Sequence, residues 1–458
     1  IYPMVPAYAA TMLKENGYQV FWLDGIAEKW TYQKYLEELE KTRADILMIE
    51  SKTPVIKTHW KIITDIKDKF PKIKIVLVGD HVTALPEESM EKCKVDYVLA
   101  GGDYDFLLLN LVKFLDKKSK FLESGIYYRD KKGNIKNTGK FNLDHDLGRL
   151  PLIDRELTHW QLYAYENGNF KYTPGTYTMV GRDCWWRKPS EAGGFGCTFC
   201  SWTSIYPKWR VGQPEKLLEE IENCLKFGVR EIFDDTGTFP VGPWLKKFCQ
   251  GMIERGYSKK VKLGCNMRAK ALNQKEYDLM GKAGFRFLLY GLESASQKTL
   301  DRINKGITPD DVAMAVKMAK KAGLEPHVTC MVGYPWETKK EAEATVALIK
   351  GFFDKGFIDT LQATVVIPYP GTALFRECEK NGWLKTRDWN RFDMREPVMM
   401  SSISDEEIML FTQKIYTSFL TPKYILRKFL SIRSWDDINY YIIRGWKYIL
   451  GHLRDFEK

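Results

Sequence analysis

Residues suited to metal or redox chemistry gather at one place in the chain. Cys184 follows Gly181-Arg182-Asp183, and twelve residues later comes Cys197-Thr198-Phe199-Cys200. Thiolates are soft ligands, and three of them on one loop suit iron or zinc. Number separates the two metals. A structural zinc site takes four protein ligands, whereas a [4Fe-4S] cluster on three cysteines leaves one iron open to an exchangeable ligand. The Gly193-Gly194-Phe195-Gly196 stretch lets the intervening loop fold back and bring Cys184 beside the Cys-x-x-Cys pair. A zinc site completed by another residue, and plain core thiols, are the alternatives.

Two series of elements must position this loop. From Tyr18 to Leu115 short apolar runs alternate with amphipathic stretches. Strands are predicted over Tyr18–Leu23, Ala44–Glu50, Ile73–Gly79 and Val95–Ala100, with helices over Tyr32–Lys41, Thr58–Phe70, Pro86–Lys92 and Phe106–Leu115. Near-continuous apolar strands alternating with helices make a doubly wound, Rossmann-like α/β domain around a parallel sheet, assigned to residues 1–118. The chain opens on Ile1 without a charged-then-apolar leader, which reads as a trimmed N-terminus lacking a first strand and not as a signal peptide. Gly125 to Ile135 carries a hairpin signature, so 119–174 is a linker with a β-hairpin. A second series follows, with strands over Thr176–Val180, Glu231–Asp234, Val261–Cys265, Phe285–Gly291, Glu325–Val332 and Thr360–Ile367. Helices over Pro214–Phe227, Asn273–Ala283 and Pro309–Ala322 separate some of them, and the pattern fits a partial (β/α)6 barrel over 175–400. Residues 401–458 are mostly helical. Barrels do their chemistry at the C-terminal ends of strands, and the cysteine loop follows the first one.

Further polar motifs fall at the ends of the later strands: Phe233-Asp234-Asp235-Thr236-Gly237-Thr238, Asn266-Met267-Arg268, Gly291-Leu292-Glu293-Ser294 and Met331-Val332-Gly333-Tyr334-Pro335-Trp336-Glu337-Thr338. With the cysteines, these resemble the radical S-adenosylmethionine (SAM) enzymes that carry an N-terminal cobalamin-binding domain, over nearly the whole chain. That family usually has three residues between its first two cysteines, where this sequence has twelve. The resemblance implies that Cys184, Cys197 and Cys200 hold a [4Fe-4S] cluster whose open iron is chelated by SAM. One electron then yields a 5′-deoxyadenosyl radical. It implies SAM contacts at Phe199, Asp234, Asp235, Thr236, Asn266, Glu293, Ser294 and Val332. Arg268 supplies a cation for the methionyl carboxylate, a pairing favoured on charge alone.

In the first domain the ends of the strands offer Ser51 and Thr53, then Gly79, Asp80, His81 and Thr83, then Gly101 and Gly102. Ligands of open parallel sheets sit beyond such ends. The resemblance implies the nucleotide tail of cobalamin at these positions; the alternative is a degenerate domain. No Gly-x-Gly-x-x-Gly appears, which disfavours a nicotinamide dinucleotide. Ile26 stands where methionine synthase-like domains carry their cobalt-binding histidine, so a cobalt without a protein histidine beneath it is implied.

The 458 residues are 44% hydrophobic and 14% aromatic, with no uncharged apolar run of membrane-spanning length. Nine cysteines without an even, closely spaced framework imply a reducing, cytoplasmic setting. The net charge of +11 is spread along the chain, and no nucleic-acid motif accompanies it. Residues 421–458 hold eight basic residues against four acids, interleaved with Tyr424, Phe429, Trp435, Tyr440, Tyr441, Trp446, Tyr448 and Phe456. They are read as helices packing on the barrel, with peripheral membrane contact or a channel wall as alternatives. The function expected is methylation of an unactivated carbon of a small-molecule or lipid-like substrate. Radical cyclisation, rearrangement or oxidation is the alternative, and a non-catalytic cobalamin or redox sensor a third. A flavodoxin or ferredoxin would supply electrons.

Overall fold

The computed structural model describes residues 1–166, 168–186, 196–206 and 208–444. Gly193, Gly194 and Phe195, together with Trp446, Tyr448 and Phe456, lie outside the described residues. The first sheet has strands β1 (Ile46–Glu50), β2 (Lys74–Val78), β3 (Tyr97–Leu99), β4 (Ile126–Arg129) and β5 (Ile135–Asn137), in that spatial order. β1, β2 and β3 pair in parallel, and the hairpin β4–β5 joins β3 antiparallel. The hairpin expected as a linker ribbon thus continues the first sheet. In β2, Ile75, Val76, Leu77 and Val78 are buried without alternation, the mark of a strand covered on both faces.

The strand expected over Tyr18–Leu23 does not form; β1 stays at the edge of the sheet. Side chains claim that segment instead. Tyr18 donates to Asp116 at 3.2 Å and Trp22 to the Tyr163 hydroxyl at 3.2 Å. Asp24 then starts a turn by accepting from the amides of Ile26 and Ala27.

The second sheet contains β6 (Gly175–Thr178), β9 (Glu231–Asp234), β10 (Lys262–Met267), β11 (Phe285–Glu293), β12 (Glu325–Val332) and β13 (Thr360–Val365), all parallel and in that order from one edge to the other. It is an open half-barrel. Between β6 and β9 runs a small antiparallel pair, β7 (Gly181–Arg182) and β8 (Arg210–Val211). Tyr290 faces the outer helices, where its hydroxyl meets that of Tyr277. By alternation, Leu289 and Gly291 face the interior. Leu289, Gly291, Thr329, Met331 and Thr364 keep partial exposure and Gln362 is exposed, although most belong to central strands. The concave face is therefore hollow.

Below that hollow the barrel is closed by aromatic rings and charge. Tyr177, Phe233, Phe287 and His327 meet edge to face or tilted with centroids 5.3–5.9 Å apart, and Gly264 leaves room between Phe233 and Phe287. A register slip between β10 and β11 adds Arg286 as an extra residue. It donates to Glu231 and Glu325, both at 2.6 Å. Lys171 joins Glu325 at 3.3 Å to Asp437 at 2.5 Å, so the tail shares the network. In the tail Tyr424 and Tyr440 donate to the carbonyls of Asp359 and Gly168. Ile425, Leu426, Phe429, Leu430 and Trp435 are exposed.

Candidate functional site

The C-terminal ends of the two sheets face each other. Lys52 follows β1 and acts on the carboxylate of Asp235, which follows β9. Lys52 keeps 55% of its side-chain surface free although protein surrounds it, which places it in a crevice. Burial opposes its charge, but Glu50 and Asp80 outweigh that and raise its pKa. Burial and the neighbouring Asp234 push Asp235 up to about 7, against a hydrogen bond from Asn266 and the charge of Lys52.

The cysteine loop lies on this crevice. Of the nine cysteines, Cys184, Cys197 and Cys200 are partly accessible and the other six are buried. Burial raises the Cys197 thiol, opposed by Lys305 and Arg268, and pushes Cys200 up to about 12 with the help of Cys197. A metal that binds the thiolate form overcomes such shifts, so these thiols suit ligation better than free nucleophilic chemistry. Cys184 and Cys197 both act on Cys200, so the three share one neighbourhood. Among the described residues, though, no three Cys, His, Asp or Glu side chains form a ready-made metal group. The Cys184 thiol instead meets the Thr238 hydroxyl at 2.9 Å. Asp183 has φ 75°, and its carbonyl would lie 2.7 Å from a Cβ at Gly237, so the loop crosses the β9 end at close range.

Other positions named from the sequence have distinct surroundings. Asp234 accepts from Thr178, from the Val180 amide and from the Thr236 amide, which ties three chain segments together. Thr236 accepts from the Gly181 amide at 2.9 Å, and Asn266 donates to the Thr236 carbonyl at 3.0 Å. Arg268 lies 3.9 Å over the Trp186 ring, is 7% exposed, and has one terminal nitrogen with no hydrogen-bond partner. A buried, unpartnered guanidinium nitrogen is what an anionic ligand group would satisfy. Glu293, with φ 67°, pairs with Lys305 at 2.6 Å, both nearly buried. A Cβ on Gly291 would lie 2.2 Å from the Glu293 carboxylate and 2.5 Å from the Lys305 ammonium. Ser294 is buried and accepts from Ser296, Val332 is buried on the outer face of β12, and Phe199 packs beside Leu300, Ile303 and Tyr334. Lys305 and Trp186 are site residues that the sequence alone does not single out; the Lys305-Gly306 pair and the two tryptophans after Cys184 are the available signals.

Across the crevice the residues of the first sheet are held by local hydrogen bonds. Ser51 meets His59 at 2.8 Å, and His81 meets Thr53 and Glu88, both at 3.2 Å. The His81 ring lies edge-on to Trp60 and Trp389, 6.2 and 5.3 Å away. Asp80 accepts from the His81 amide, and Thr83 links the Gly79 carbonyl to the Gly101 amide. Gly79 has φ 123°, with the Ser51 carbonyl where a Cβ would be; Cβ atoms on Gly101 and Gly102 would strike Phe141 and Tyr206. Close backbone approach at glycines beyond the strand ends, with Lys52 exposed among them, fits a large polar cofactor, and three partly accessible thiols, with Arg268 and Lys305 acting on Cys197, fit an iron–sulfur cluster with an anionic ligand.

Comparison with known proteins agrees. Residues 1–106 match the B12 binding domain family and residues 189–349 the Radical SAM superfamily, a span that includes Cys197 and Cys200 and begins after Cys184. An uncharacterised methyltransferase of Pyrococcus horikoshii is 29% identical over 93% of this chain and 89% of its own length. The anaerobic magnesium-protoporphyrin IX monomethyl ester cyclase of Cereibacter sphaeroides is 25% identical over 100% of this chain and 71% of its own. Among solved structures, TsrM of Kitasatospora setae with cobalamin and a [4Fe-4S] cluster superposes with TM-score 0.70 at 13% identity, covering 99% and 97% of the two chains. OxsB with aqua-cobalamin and SAM gives 0.71 at 16%, covering 99% and 69%. At these identities the structural likenesses establish the fold. The two domain matches imply SAM, a [4Fe-4S] cluster and cobalamin as the cofactors. The chain belongs to the cobalamin-dependent radical SAM enzymes.

Proposed function

We propose that the protein methylates an unactivated carbon of a small-molecule substrate, with its cluster on Cys184, Cys197 and Cys200. The carrying observation is that the three accessible cysteines lie on a loop after the first half-barrel strand, facing the ends of the other sheet. When bound, the cofactors supply a carbon-centred radical and a transferable methyl group. The chain supplies the rest. Arg268 and the Glu293–Lys305 pair orient SAM; Asp235 and Asn266 border it; the Ser51–Thr53, Gly79–Thr83 and Gly101–Gly102 loops hold cobalamin. The neutral concave wall of Gly291, Thr329, Gln362 and Thr364 receives the substrate. Working boundaries are 1–118 for the cobalamin domain, 175–400 for the half-barrel and 401–458 for the tail. The +11 net charge suits an acidic electron donor of the flavodoxin or ferredoxin kind.

A second reading, radical cyclisation, is favoured by the similarity to the protoporphyrin ester cyclase along the whole chain. A label in the SAM methyl group separates them: it appears in product for methylation and stays in methionine for cyclisation. Reduced, reconstituted protein is expected to form 5′-deoxyadenosine; none formed would defeat both readings. Cys200→Ala is expected to abolish iron uptake, as is Cys184→Ala if the long loop closes the cluster. Cleavage surviving in Cys184→Ala would assign the third ligand elsewhere.

A further inference from the structure

Arg182 stands two residues before Cys184, yet its partners belong to the other domain. Its guanidinium donates to the Asp105 carboxylate at 2.6 Å and to the Gly102 carbonyl at 3.1 Å, and neither charged side chain has any exposed surface. The same Gly102 carbonyl accepts from the Tyr206 hydroxyl at 3.2 Å, and the Gly102 amide donates to the Ile205 carbonyl at 2.9 Å. Tyr206 follows Cys200 on the far side of the cysteine loop, and its ring fills the space a Cβ on Gly102 would need, 1.9 Å away. Both flanks of the cysteine loop are therefore bolted to the β3 loop of the first sheet. Arg182 and the β3 loop cannot part without leaving a buried charge uncompensated.

We propose that Arg182, Asp105 and Tyr206 are positioning residues that couple the two cofactor sites, so that cobalamin bound at the Gly101–Gly102 loop strengthens retention of the cluster on the cysteine loop, and the reverse. The inference rests on the functional reading above. Binding of hydroxocobalamin, followed by its visible absorbance, is compared between protein with and without a reconstituted cluster, and the partition of cluster iron between protein and a chelator at equilibrium is compared with and without hydroxocobalamin. Linkage requires these two equilibrium ratios to agree. In the unaltered protein a ratio of about fivefold or more is expected, at the lower end of measured couplings. In Asp105→Asn, and in Tyr206→Phe, which keeps the ring and so the fold, it falls toward one while each cofactor still binds alone. A ratio of one in the unaltered protein, or a ratio unchanged in Tyr206→Phe, overturns the inference alone. Protein that takes up neither cofactor overturns the functional reading and this inference with it.

Discussion

Lys305 carries the lesson at the scale of single residues. The cysteines could be read from type and spacing, because three thiols on one loop have few other uses. Glu293 could be read from its place at the end of a strand. Lys305 lies twelve residues on, and only the fold shows its ammonium against that carboxylate above Gly291. Burial works against the charge of Lys305, and Glu293 and Cys197 outweigh it and raise its pKa. Lys305→Met leaves Glu293 buried without a partner, which costs about 3–5 kcal/mol for a broken buried pair. The expected outcome is a lower melting temperature and SAM binding weakened at least about tenfold, read by equilibrium dialysis. Adding Glu293→Gln restores much of the stability, because the uncompensated charge is gone, but not the SAM affinity. Recovery of both would assign the pair a purely structural role.

At the scale of elements, half-barrel strands such as Phe285–Glu293 were legible because an apolar run lies between turn residues, and Glu231–Asp234 and Glu325–Val332 form over the predicted spans. Tyr18–Leu23 misled because aromatic residues alternate there as in a strand, while the partners that decide its conformation, Asp116 and Tyr163, are distant in sequence. The floor of the barrel was equally hidden. Arg286 enters the interior through a bulge, which apolar periodicity cannot forecast, and its carboxylate partners come from two other strands. Arg286→Met strips the guanidinium from Glu231, which is 1% exposed and keeps the backbone amides of Lys171 and Tyr172, and from Glu325, which keeps Lys171 and the charges of Lys428 and Lys320. A loss of about 3–5 kcal/mol is expected by urea unfolding. Limited proteolysis should then cut first near the tail, since Asp437 is held through Lys171 in the same network.

At the scale of the whole molecule, two domains were legible from the sequence but their juncture was not, because acids and arginines along a basic chain look like solvated surface. The juncture is ionic. Besides the Arg182–Asp105 contact, Arg210 grips both oxygens of Asp103 at 2.7 Å, and His145 bridges Asp103 and Glu123 at 3.0 and 2.8 Å. Burial alone would raise Asp103, but hydrogen bonds from His145 and Arg210 hold it at about 2. Burial alone would lower His145, yet Asp103 and Glu123 raise it to about 9. The histidine's folded pKa exceeds its unfolded value of about 6.5, so its contribution is complete below that pH and is lost as the pH rises through 9. The aspartate's is depressed, so its contribution is complete above about 4 and is lost as the pH falls toward 2. The groups facing His145 are those two carboxylates, the Phe106 ring stacked 4.4 Å away, and Arg210, which donates to its backbone carbonyl. Melting curves between pH 6 and 9.5 should therefore show an alkaline fall in stability of the juncture. In His145→Gln, which keeps a hydrogen-bond donor but cannot titrate, the starting stability is lower and this part of the fall disappears. An unchanged slope in the variant would mean that the juncture is held by the arginines alone and that His145 titrates without consequence for the docking of the two domains.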